Sequence, residues 1–138
     1  MERVVVEPRE GRTFQTTFTM SLLDTTQQAL EAAMSGSELR NTLLTNNLAN
    51  ASTPGYQVQD VNFQSTLQNA LQNGQPVSQV SFQPYTEAAA NGPDGNGVNS
   101  QQQEAYMAEN GLLYQTLTEV AAQREKIMLT AMGMGAGA

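Results

Sequence analysis

The chain has 138 residues, 13 of them acidic against six basic for a net charge of −7, and it contains neither cysteine nor histidine. A chain of this length makes one domain at most, and so acidic a balance excludes the basic footprint of a nucleic-acid partner and disfavours an anionic membrane surface. Without Cys or His there is no disulfide framework, no usual zinc site and no Ser-His-Asp or Cys-His nucleophile.

Residues 1–19 come first. Phe14, Thr16, Phe18 and Met20 alternate in a strand-like way, and the segment reads as a tail or an upstream extension. Val4-Val5-Val6 is too short for a secretory signal core, and no apolar stretch approaches the roughly 18 residues that span a bilayer. Over 20–50 the apolar positions Leu23, Leu30, Met34, Leu44 and Leu48 recur with helical period, with Ser37 and Asn41 as polar insertions. Asp24 with Gln27, or Ser21 with Asp24, suits its N-terminal cap. Ser35-Gly36-Ser37 predicts a kink or short break, since an interior glycine costs about 1 kcal/mol relative to alanine. At the far end Asn50 tolerates the left-handed conformation, Pro54 cannot continue a helix, and Pro54-Gly55 suits the centre of a type II turn.

The segment 51–98 carries Tyr56, Val58, Val61 and Phe63, then Val77, Val80, Phe82 and Tyr85, which predict two extended pieces. Asn73-Gly74 is a turn dipeptide between them, so a loose hairpin is expected, although Leu67 and Leu71 equally fit a helical turn. Asn and Gln fill about a fifth of the chain. Such a surface can be buried against copies of itself through neutral hydrogen bonds without the desolvation cost of charge. Over 64–104 the same composition equally fits a partly disordered polar segment.

A second helix is expected over 99–132, capped by Asn99 with Gln102 reaching back. Tyr106, Asn110, Leu113, Leu117, Val120, Arg124, Ile127 and Ala131 follow at spacings of four and three, an a/d seam of more than three heptads. The stripe fits either the core of a helical hairpin or an assembly surface. Asn110 and Arg124 are polar seam positions, of the kind that fix register or partner. Residues 133–138, rich in glycine, should fray. The expected fold is all-α dominated, with long N- and C-terminal helices paired as a coiled coil and joined by an extended or loop segment with a possible short β-hairpin.

For chemistry, Asp60 is the one carboxylate near the helix stop. Pairing it with Glu87 or Asp94 across a flexible loop makes a poor catalytic scaffold. Asp94-Gly95-Asn96-Gly97 lacks the spaced ligands of a calcium loop and reads as a turn. No catalytic residue, cofactor or metal is expected.

The run Asn47, Leu48, Ala49, Asn50, Thr53, Pro54, Gly55, Tyr56 resembles the motif of bacterial flagellar rod and hook axial proteins. Its continuation Asp60, Val61 and Phe63 resembles the short proximal-rod, FlgB-type family in particular. Met20-Ser21-Leu22-Leu23-Asp24 looks like the usual start of that family. Asp94-Gly95-Asn96 with Val98, Ala108-Glu109-Asn110 and Tyr114-Gln115 looks like its C-terminal block. Family members often carry Lys or Arg where this chain has Gln57. The resemblance implies a structural, non-enzymatic subunit of the periplasmic rod, exported by the flagellar type III apparatus with an uncleaved signal. Its implied partners are copies of itself, other rod proteins, the membrane ring and the export gate or its adaptor. Alternatives are another axial protein, of the second proximal-rod type or hook-related, and a soluble helical adaptor or chaperone.

Overall fold

A computed structural model describes residues 11–88 and 92–133, with side chains from residue 25 onward. The chain is mostly helical: α1 (Gly11–Ala49), β1 (Gln59–Asp60), α2 (Phe63–Gln72), a 3-10 turn at Val77–Gln79, β2 (Tyr85–Thr86) and α3 (Ser100–Ala131). α1 and α3 lie antiparallel, because Asn47 meets Gln103 while Ser37 meets Asn110 and Glu38 meets Tyr114.

α1 starts nine residues earlier than residue 20 and replaces the strand-like tail over 11–19; residues 1–10 of that tail lie outside the described residues. No proline or glycine interrupts positions 12–35, and extending a nucleated helix costs little per residue. The proposed caps at Ser21, Asp24 and Gln27 are therefore interior positions, and the Gln27 side chain donates to Glu31 Oε1 at 2.9 Å instead. Nor does Ser35-Gly36-Ser37 break the helix. A Cβ on Gly36 would lie 2.6 Å from Cβ, Cγ and Cδ2 of Phe63, so the glycine opens a seat for that ring and the packing outweighs its weak propensity.

Between the long helices the loose hairpin is replaced by α2. Phe63, Leu67 and Ala70 are buried at helical spacing on one face, and Asn73-Gly74 ends this helix, with Gly74 at φ +64°. Of the two extended pieces only a short antiparallel pair remains, Gln59 opposite Thr86 and Asp60 opposite Tyr85. The core clusters Leu43, Val61 and Phe63 with the half-buried Leu39, Phe82 and Leu113. Phe82 meets Phe63 edge-on, with ring centroids 6.1 Å apart, a favoured aromatic geometry. The middle segment thus packs on the second half of α1, and the core sits at that end of the helix pair.

Asn99 caps α3 by accepting the Gln102 N–H at 3.2 Å. The reciprocal arm is absent, since the Gln102 side chain donates to the Tyr106 hydroxyl. α3 ends at Ala131 with Gly133 at φ +72°, and residues 134–138 of the expected tail lie outside the described residues.

The predicted seams are closed at one end and open at the other. Leu44 is buried, Leu30, Met34 and Leu48 are half-buried, and the Leu23 side chain lies outside the described set. On α3, Asn110 is buried and Tyr106, Leu113 and Leu117 are half-buried, but Val120 and Ile127 are 45% and 68% exposed and Ala131 is exposed as well. A strict seven-residue repeat drifts about 20° per heptad on a straight helix. Val120 has turned off α1, whereas the predicted seam position Arg124 stays half-buried beside Ala121.

Candidate functional site

The end of α1 is built as a polar joint rather than a dry one. Asn47 is fully buried on the last turn of α1. Its Nδ2 donates to the Gln59 carbonyl at 2.8 Å and to Gln103 Oε1 at 2.9 Å. Its Oδ1 accepts the Gln59 N–H at 3.1 Å and the Tyr56 hydroxyl at 3.2 Å. Both donors and both lone pairs of the amide are used, so one side chain ties α1, the following turn, β1 and the first turn of α3.

The turn itself matches its sequence. Tyr56 N–H donates to the Thr53 carbonyl across Pro54-Gly55, and Gly55 sits at φ +71°, as the second central residue of a type II turn requires. Asn50 does not adopt the left-handed conformation, for no described non-glycine residue has positive φ. α1 unwinds instead through tightened turns, with Ala51 N–H donating to the Leu48 carbonyl and Thr53 N–H to that of Asn50. Three carbonyls of this stretch converge on one amide from far along the chain: Asn96 Nδ2 lies 3.0, 3.1 and 2.7 Å from those of Asn50, Ala51 and Thr53. Asn96 Oδ1 accepts the Val98 N–H at 2.7 Å, and Gly55 and Gly97 N–H groups bridge the two segments to Asp94 and Tyr56. The motif and the Asp94–Val98 block, separated by some forty residues, form one clasp.

Two further joints lie along the helix pair. Ser37 Oγ donates to Asn110 Oδ1 at 3.0 Å while Asn110 Nδ2 donates to the Ser37 carbonyl at 2.9 Å, and both residues are buried. Arg40 forks onto Asp60, Nε to Oδ1 at 3.0 Å and an Nη to Oδ2 at 3.1 Å, with its guanidinium 5.3 Å from the Tyr106 ring centre. Burial lowers the Arg40 pKa, but the hydrogen bond and charge of Asp60 outweigh it and hold the group above its ordinary value. Asp60 Oδ1 also accepts the Val61 N–H. With both oxygens occupied, the carboxylate anchors β1 to α1.

Of the motif positions, Asn47, Asp60, Val61 and Phe63 are buried, Leu48, Asn50 and Tyr56 are half-buried, and Ala49, Thr53, Pro54 and Gly55 face solvent. Sequence reasoning missed Arg40 and Gln103, singled out Ser37 without its partner, and took Gly36 for a weakness. A buried Gln or Arg carries no periodic signal of its own. No group of three or more acidic side chains that would suit a metal ion occurs among the described residues, and no helix described is long and apolar enough to cross a membrane. No family model matches this chain, and no curated protein aligns with it significantly.

Proposed function

We propose that this chain is a structural subunit of the flagellar basal-body proximal rod, of the FlgB type. In this reading the N- and C-terminal helices pair as a coiled coil within each subunit. Neighbouring subunits stack the outer faces of those helices heterologously, the kind of contact that builds an open helical tube. The tube joins the membrane ring and export gate, or its adaptor, to the distal rod, and each subunit reaches the periplasm through the type III apparatus.

The observation that carries the assembly reading is the apolar surface that α3 leaves in water: Leu112, Val120, Ile127, Leu129 and Met132 are 40% to 68% exposed. So many large apolar side chains left exposed along one helix support a reading of α3 as an interaction element. The motif residues supply the choice of family, and their clasp to the Asp94–Val98 block gives them a shared task at one end of the helix pair.

Immunogold labelling of isolated basal bodies with antibody to this chain tests the reading. Label confined to the proximal rod is expected. A chain recovered only in discrete soluble one-to-one complexes would sink it in favour of a helical adaptor or chaperone.

A further inference from the structure

α3 carries a stripe that its pairing with α1 does not use. Thr116, Val120, Gln123, Ile127 and Thr130 are all exposed and recur at spacings of four and three. At about 100° per residue they lie roughly a quarter-turn around the helix from Leu117, Ala121 and Arg124, the half-buried positions. Beside Ile127 the surface dips into a shallow depression walled by Lys126, Thr130 and Ala131. The flank of the stripe that faces away from α1 carries Glu119 and Lys126, both exposed and of opposite sign.

Which flank is open, and the charges it carries, select an orientation. In a parallel pair, Glu119 would be set against the opposite flank of its neighbour, which carries Leu117 and Arg124 and is already half-buried. In a head-to-tail pair the same flanks meet each other, and flanking charges then decide the alignment. An axis near Gln123 brings each Glu119 beside a Lys126 and packs Val120 of one copy among Gln123 and Ile127 of the other.

We propose that two copies of this chain pair head to tail through the α3 stripe from Thr116 to Thr130, about a two-fold axis near Gln123. The pair rests on the reading of this face as an assembly surface and adds that the face is self-complementary. A closed two-fold contact uses the same patch on both copies, so it covers in free subunits a surface that open-ended stacking needs.

The chain has no cysteine, so single-cysteine variants report the geometry directly. Gln123→Cys is expected to form a disulfide-linked dimer under mild oxidation, because residues at the axis come within the roughly 7 Å that a disulfide tolerates. Leu112→Cys is expected to remain unlinked, since its two copies stand about 30 Å apart at about 1.5 Å per residue. In sedimentation velocity, Glu119→Lys and Lys126→Glu should each weaken the dimer about fivefold, and the double variant should recover it. Equal crosslinking at both positions, or no recovery in the double variant, overturns the proposal. Free subunits of the Gln123→Cys variant that oxidise without forming a disulfide-linked pair overturn it too, while leaving the rod-subunit reading intact. A disulfide-linked pair formed by Gln123→Cys, with the chain absent from basal bodies, leaves the dimer standing and removes the rod reading.

Discussion

Replacing Gly36 by alanine sets two effects against each other. The helix gains about 1 kcal/mol of propensity, but the new Cβ meets the Cβ and Cγ of Phe63 at 2.6 Å. Those atoms sit next to the α2 backbone and cannot swing aside, and overpacking a core typically costs about 1–3 kcal/mol. A net loss of up to about 2 kcal/mol in urea unfolding is expected; a stabilised variant would show that Phe63 does not occupy this seat. Tyr114 offers a second test at this scale. Its hydroxyl donates to Glu38 Oε1 at 3.0 Å, and that hydrogen bond and the carboxylate's charge raise the phenol above its ordinary pKa of 10.0. A raised folded-state value means the contact stabilises fully below about pH 10 and fades as pH rises through the folded pKa. Glu38→Gln should move the phenolate absorbance titration back toward the ordinary value. An unmoved titration in low salt would remove the pair from the account.

Between elements, the α1–α3 interface takes its register from amides. An apolar stripe alone tolerates sliding, whereas the Ser37–Asn110 exchange is satisfied in one alignment only. Asn110→Ala strands the buried Ser37 hydroxyl and should cost about 1–3 kcal/mol, while adding Ser37→Ala removes the orphaned group and should cost less than the sum. A double-mutant cycle in urea is expected to give about 1 kcal/mol of coupling; additivity within about 0.3 kcal/mol would reduce the pair to two unrelated polar residues. Here the sequence was legible in part. The long helices followed from Leu44, Leu48, Tyr106 and Leu117, and the Pro54-Gly55 turn from two residues whose backbone preferences leave little choice. α2 was harder, because Phe63, Leu67 and Leu71 support helix and turn alike until Gly36 is known to receive Phe63. The clasp was hidden for a different reason. Asn96 sits in a glycine-rich loop of a chain in which about a fifth of the residues are Asn or Gln, and only its distance to three carbonyls more than forty residues upstream distinguishes it.

Across the whole molecule, burial is graded along α3. Gln103 and Asn110 are buried, and the residues around Leu113 and Leu117 are half-covered, whereas nearly every side chain after Ala122 is exposed. The Asn47 joint, the Asn96 clasp, the Arg40–Asp60 pair and the core around Phe63 all lie at the end of the helix pair where α1 stops and α3 begins. Helical stability in proteins comes mainly from such tertiary contact, so the two ends of α3 should open with different free energies. In dilute solution, amides of residues 103–117 are expected to exchange slowly, while those of 123–131 exchange within about tenfold of unfolded-chain rates. In the proposed rod, assembly would cover the apolar side chains of that second half, and binding that favours a folded segment stabilises it by mass action. Amides of 123–131 should therefore gain protection in the assembled state while those of 103–117 change little. Hydrogen exchange read by mass spectrometry on the dilute and assembled chain makes the comparison, and equal protection of both halves before assembly would mean that α3 needs no partner to hold its C-terminal turns.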